Sequence, residues 1–180
     1  MGQMDKRKDG RYFRGGIALI GKEEFCSQVR LCEEAMYRLA YSIMRNEDDA
    51  AEVVSEAIFR AYKNLNSFRN LASFKTWMLK IVHNTAVETV RKNSRSVLAD
   101  DFSEESFGKH EEDTALKMTL REAVESLKNP YRTVVVLFYY ENLSAAQIAR
   151  ITDASGAAVK QQLSRARKML LELLKEDFAG

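Results

Sequence analysis

The chain has 180 residues and a formal net charge of +2, from 28 Lys and Arg against 26 Asp and Glu. A hydrophobic fraction of 46% is enough for folded cores and excludes wholesale disorder. No apolar run approaches the ~18 residues of a membrane span, and the N-terminus lacks the apolar stretch of a secretion signal, so membrane insertion is not expected and a cytoplasmic protein is.

The small net charge hides an uneven distribution. Residues 1–22 hold six bases against two acids and five of the eight glycines. They read as a flexible basic leader. Pro occurs once, at Pro130, so long helices can run through the rest of the chain.

The first predicted helix spans 23–45. Phe25, Val29, Cys32, Met36, Leu39 and Ile43 recur in steps of three and four, which is a helical stripe. Asn46 suits an N-cap, with Glu47, Asp48 and Asp49 in a first turn that favours negative charge. The second helix turns Ala50, Val53, Val54, Ala57, Ile58, Ala61 and Tyr62 inward and ends near Asn64. Residues 65–71 connect it to a third helix. That helix starts near Ser73, carries Phe74, Trp77, Met78, Ile81, Val82 and Thr85 on its apolar side, and ends near Arg95. Trp77 falls on the inward side and is expected in the core.

Residues 96–113 hold one base against seven acids and show no sustained period. They read as an exposed acidic linker between an N-terminal domain, 23–95, and a C-terminal domain, 114–180. In the latter, residues 111–127 are expected to be helical through Leu116, Leu120, Val124 and Leu127. Pro130 suits the first turn of the next helix. The run Val134–Tyr140 has strong strand propensity, but every neighbouring segment reads helical and a lone strand has no partner, so helix is expected.

Ser144 and Gln147 match a capping box opening a short helix, 144–151. Residues 152–154 make a tight turn. Ser155 then caps a longer helix with Val159, Leu163, Ala166, Leu170 and Leu173 inward. This is the helix-turn-helix pattern. The second helix has no acid from residue 154 to 171 and carries Lys160, Arg165, Arg167 and Lys168. A helix in the major groove needs small residues for close approach, Gln, Lys or Arg for base edges, and flanking bases for phosphates. Its outward residues supply these types. The fold expected is all-α: two small helical domains, a flexible acidic linker, and a C-terminal helix-turn-helix.

A second basic stretch, 75–95, sets Lys75, Lys80, Arg91, Lys92 and Arg95 against Glu88 alone. Beside it, the 68–73 loop offers Arg69, Asn70 and Ser73 to hydrogen-bond an extruded base. Cys26 and Cys32 form no disulfide framework, and His83 and His110 match no metal or nucleophile motif. No phosphate-binding glycine loop is present. No enzyme, cofactor or metal is expected.

Residues 49–62 (DAAEVVSEAIFRAY) resemble the core-polymerase-binding stretch of bacterial extracytoplasmic-function sigma factors. Phe68-Arg69 with residues 73–84 (SFKTWMLKIVHN) resembles the family's promoter-melting segment. Residues 143–149 and 159–167 resemble its helix-turn-helix. The three matches span roughly 25–175 in the family's order. The resemblance implies a two-domain helical initiation factor without enzymatic activity. Its partners would be core RNA polymerase (the beta-prime clamp helices and the beta subunit), promoter DNA and an anti-sigma factor. Asp49, Glu52, Ser55 and Glu56 fall in the polymerase-docking stretch. Phe68, Arg69, Asn70, Ser73, Lys80 and Asn84 fall in the minus-ten stretch. Ser155, Ala157, Ala158, Lys160, Gln161, Ser164 and Arg165 fall in the minus-thirty-five helix. The acidic linker resembles the connector through the polymerase's RNA channel, where its acids would mimic nucleic acid; a plain solubilising spacer is the alternative.

The chain departs from the family pattern in places. Asp153 stands where Gly is usual, and Asp tolerates the left-handed conformation that such a turn needs. Ser55 replaces a common Gln. The usual Gly-Thr-Val-Lys-Ser-Arg becomes residues 157–162 (AAVKQQ). Two other readings fit parts of the sequence: a helix-turn-helix regulator that never joins polymerase, and a helical interaction protein with solvated basic faces. Neither needs a melting loop beside a basic helix.

Overall fold

The structure, a computed structural model, describes residues 5–6, 12–14, 17–65, 68, 70–97 and 119–178. The acidic stretch 98–118 lies outside them, as does Arg69. Within the leader, Asp5–Lys6 (β1), Tyr12–Arg14 (β2) and Ile17–Leu19 (β3) form an antiparallel sheet in the order β1-β2-β3. The register sets Asp5 opposite Phe13, and Phe13 opposite Ala18. The sequence suggests a flexible basic leader over 1–22; its described residues pair as strands instead.

The body of the protein is helical. α1 runs Lys22–Met44 and buries Phe25, Cys32, Met36 and Leu39, most of the predicted stripe. Each such side chain contributes roughly 1.5–3 kcal/mol on burial. α2 runs Glu47–Lys63 and begins as expected: the Asn46 side chain accepts from the Asp49 backbone N–H at 3.0 Å. Three acids occupy its first turn, at the positive end of the helix dipole. A short 3-10 turn, Leu71–Ser73, leads into α3, Phe74–Val97. α1, α2 and α3 pack on one another in pairs.

The C-terminal half opens with α4, Leu120–Ser126. Within the expected helix over 111–127, a helix begins at Leu120. Thr119 is extended and forms a capping box with Glu122: the Glu122 N–H donates to Thr119 Oγ1, and the Thr119 N–H donates to Glu122 Oε2. A residue in that conformation begins a helix rather than continuing one. The earlier part of the predicted helix lies outside the described residues.

α5, Tyr131–Val135, continues into a π-helical segment, Val136–Tyr140. The strand-prone run is therefore helical. Val134 to Leu137 are all buried, so tertiary burial overrides β-propensity. The segment ends with the Glu141 N–H donating to the Val136 carbonyl, a five-residue step that carries Glu141 to a buried position. α6, Ala145–Thr152, opens with the predicted Ser144–Gln147 capping box. α7, Gly156–Phe178, completes the helix-turn-helix.

The two halves are not separate on their tether. One buried cluster contains Met36, Leu39, Phe74 and Met78 together with Leu137, Leu143, Ile148, Ile151, Val159 and Leu163. Trp77 and Ile81 of α3 pack against this cluster, as do Ala145, Ala149 and Ala154. A smaller cluster joins Val124, Leu127, Val135 and Ala166. No helix among the described residues is long and apolar enough to cross a membrane.

Candidate nucleic-acid and polymerase-docking surfaces

The helix-turn-helix is set by local backbone chemistry. Asp153 adopts φ 52°, ψ 31°, and its N–H closes α6 on the Ala149 carbonyl. The left-handed turn that favours glycine is thus made by Asp, at lower steric cost than most side chains would incur. Ser155 Oγ accepts from the Ala158 N–H at 3.0 Å and starts α7. Val159, Leu163 and Ala166 are buried against α5 and α6, which turns the opposite face outward. Ser155, Ala157, Lys160, Gln161, Ser164 and Arg165 are exposed there, and Ala158 is half-buried at the edge. The predicted minus-thirty-five residues are therefore brought together on one open helical face.

The predicted minus-ten residues do not form one face. Phe68 is a correction. It is buried, with its ring centroid 4.7 Å from Trp77 and 5.4 Å from Phe74 in an edge-on contact. An aromatic that fills the core is not available to stack on a base; it holds the loop in place. Asn70 is exposed and organises the 3-10 turn, its Oδ1 accepting from the Ala72 N–H. Ser73 Oγ donates to the Asn70 carbonyl at 2.8 Å. Arg69 lies outside the described residues.

Lys80 and Asn84 sit further along α3, both half-buried. Lys80 Nζ donates to Asp153 Oδ1 at 2.6 Å, so this predicted DNA contact is paired with the turn of the helix-turn-helix. His83 lies between them in sequence, with Nδ1 3.4 Å from Asn84 Oδ1. Burial holds the His83 imidazole below its ordinary pKa, against the opposing pull of the Asn84 hydrogen bond and the Asp153 charge.

On α2, Glu52, Ser55 and Glu56 are exposed and Asp49 is half-buried. Glu56 Oε1 accepts from Arg60 Nε at 2.7 Å, and Arg60 Nη1 also donates to Glu88 of α3 at 2.7 Å. These two carboxylates hold the Arg60 guanidinium above its ordinary pKa. The sequence reading missed Phe59, which is 52% exposed on the same helix with Lys63 Nζ 4.2 Å over its ring. The signal was present: Glu52, Glu56, Phe59 and Lys63 follow at steps of four, three and four, one face of a helix. Aromatic side chains are enriched at protein interfaces. Among the described residues, no group of His, Cys, Asp and Glu could hold a metal ion.

Comparison with known proteins matches both halves. The family model described as Sigma-70 region 2 matches residues 29–96, and that of Sigma-70 region 4 matches 117–170. The RNA polymerase sigma factor SigV of Bacillus subtilis is 35% identical over 148 residues, covering 82% of this chain and 89% of that protein. The extracytoplasmic-function sigma factor SigW of the same organism is 27% identical over 170 residues, covering 86% and 91%. Among solved structures, the sigma factor RpoE of Bartonella quintana in complex with the anti-sigma factor NepR superposes with a TM-score of 0.70 at 25% identity, covering 85% of this chain and 98% of that one. CnrH, solved with the cytosolic domain of CnrY, shares the fold with a TM-score of 0.61 at 23% identity.

Proposed function

The chain belongs to the extracytoplasmic-function sigma factors of the sigma-70 family, and from that premise we propose how its own residues divide the work. A sigma factor joins core RNA polymerase and directs it to promoters. Residues 23–95 form the unit that docks on core and reads and opens the minus-ten element. Residues 114–180 read the minus-thirty-five element, and 96–113 connect the two.

In this reading Asp49, Glu52, Ser55 and Glu56, together with Phe59, contact the clamp helices of the polymerase beta-prime subunit. Asn70 and Ser73, with Arg69, receive a base extruded from the minus-ten strand. Phe68 and Trp77 support that loop from beneath. Unstacking costs a few kcal/mol per base, and hydrogen bonds from the loop to the flipped base offset part of it. Lys80 and Asn84 extend the minus-ten surface along α3. On α7, Lys160, Gln161 and Arg165 meet base edges and phosphates, while Ala157 and Ala158 allow the helix to approach the groove. The protein makes and breaks no covalent bond, and it acts in the cytoplasm, where polymerase is. A structural relative is solved with an anti-sigma factor bound, which supports control of this chain by such a partner.

The observation that carries the proposal is the open face of α7, free of acids from its start to residue 171, in one chain with a region-2 domain. A free-standing regulator accounts for the first but not the second. The test is run-off transcription with core polymerase and a randomised promoter library. Selected templates should share two sequence blocks at fixed spacing. No initiation above core alone, in a preparation where a control sigma factor works, removes the proposal.

A further inference from the structure

A cleft of about 520 Å³ lies between α1 and the α4–α5 pair. That volume is within the range of small-molecule sites. Its wall carries two guanidiniums that no carboxylate balances. Arg132 of α5 is only 6% exposed. Its Nε donates to the Ser42 carbonyl at 2.6 Å, and its Nη1 donates to the carbonyls of Leu127 at 2.6 Å and Glu125 at 3.1 Å. Arg45, at the end of α1, donates from Nη1 to the same Glu125 carbonyl at 2.6 Å. Two cations thus converge on one backbone oxygen. The other arginines of the wall are neutralised: Arg38 pairs with Glu34 and Glu141, and Arg121 with Glu125. Arg45 and Arg132 form no such pair among the described residues.

A buried cation is costly unless an anion or a full set of hydrogen bonds compensates it. Burial, together with the Arg45 charge, pushes the Arg132 guanidinium down to about 10. A guanidinium has five N–H donors. Those on Nε and Nη1 are used, and Nη2 has no partner among the described residues. No side-chain nitrogen there is both buried and unpartnered, so Nη2 opens onto the cleft that Arg132 lines. Three tyrosines share the wall, Tyr37, Tyr41 and Tyr140. The Tyr37 and Tyr41 rings are 16° from parallel with centroids 6.3 Å apart, and Tyr140 is 45% exposed. Such rings offer apolar faces to a flat ligand and hydroxyls to its polar edge.

We propose that this cleft binds a small planar ligand bearing a phosphate or carboxylate, its anion held by Arg45 and Arg132 and its ring laid against the tyrosines. The anion supplies the charge that both arginines lack, through charge-assisted hydrogen bonds that include the free Nη2 donors. The ligand is an effector and not a promoter contact, since none of these residues lies on the outward face of α7 or in the 68–73 loop. Helices of both halves build the site, so its occupant stabilises the folded chain by mass action. Nothing in the inference depends on the sigma-factor reading.

Calorimetric titration of the full chain tests it, with adenosine 5′-monophosphate and 4-hydroxybenzoate as anionic rings and adenosine and phenol as their neutral counterparts. At least one anionic ring should bind saturably with a Kd below about 1 mM. The tighter of the two identifies the anion as phosphate or carboxylate. Its affinity should exceed that of its neutral counterpart, and of inorganic phosphate, at least about tenfold. Arg45→Asn keeps a residue that tolerates the φ of 59° at that position. It should weaken binding at least about tenfold in a chain folded by circular dichroism. Tyr140→Leu should also weaken it, whereas Lys160→Ala, on the outward face of α7, should not. Absence of saturable binding, equal affinity for the neutral counterpart, or undiminished binding by Arg45→Asn overturns the proposal. So does loss of binding in Lys160→Ala, which would place the ligand on α7. A tetraglutamate peptide that binds more tightly than either ring overturns it as well, and makes the cleft a seat for an acidic protein segment.

Discussion

Replacing Phe68 separates a core residue from a DNA contact. Phe68 is buried beside Trp77 and Phe74. Truncating such a ring to Ala typically costs about 3–5 kcal/mol, part transfer and part cavity. Taking the low end of that range, the expected loss is about 3 kcal/mol. With a urea dependence of roughly 2 kcal/mol per molar, the midpoint should fall by about 1.5 M. Phe68→Leu keeps most of the apolar volume and should cost about 1 kcal/mol. Trp77 is the only tryptophan and touches the Phe68 ring, so its fluorescence follows the transition and should itself shift in the Ala variant. If Phe68→Ala unfolds at the wild-type midpoint yet loses promoter opening, the ring is a base contact and its assignment to the core is wrong.

The other predictions concern the surfaces. Asn70→Ala should leave binding to duplex promoter nearly intact while strand opening drops, measured by gel shift and permanganate reactivity on the same template; equal loss of both removes the loop from the melting step. Lys160→Ala should weaken binding to all duplex sites alike and reduce the slope of log affinity against log salt by about 1, whereas Gln161→Ala should cost about 1–3 kcal/mol at the preferred sequence and relax specificity there. Glu52→Lys should reduce affinity for core polymerase without changing duplex binding by the free chain. His83 is held neutral by burial in the folded chain, so the unfolded chain takes up its proton first. Stability should therefore fall as pH drops below about 6.5 toward the lower folded-state value, and His83→Gln should flatten that limb in urea titrations.

The helical frame was legible because its signals are local. Asn46, Ser144 and Ser155 each cap the helix that the sequence assigns to them, and the apolar stripes of α1 and α7 face inward as their spacing requires. Asp153 fulfils the left-handed role expected of it. Local signals were also overlooked. Thr119 and Glu122 form a capping box as regular as that of Ser144, but a longer apolar period running through it masked the boundary.

What could not be read was non-local. Arg38 and Glu141 are 103 positions apart, Lys75 and Glu141 66. No period or motif relates such residues. Phe68 illustrates the same limit. An aromatic in a polar loop beside a basic helix fits either a stacking platform or a core plug, and only the positions of Phe74 and Trp77 decide between them. The ion pairs of Glu141 with Arg38 and Lys75 are legible only once α1, α3 and the π-helical segment are placed side by side.

The central claim is that this chain opens promoter DNA as part of RNA polymerase. Permanganate reactivity of thymines on a selected promoter tests it most directly. With core polymerase and the chain together, unpaired thymines should appear in the minus-ten block, and neither component alone should produce them. A chain that binds the duplex but leaves every thymine protected in the presence of core would be a regulator and not an initiation factor.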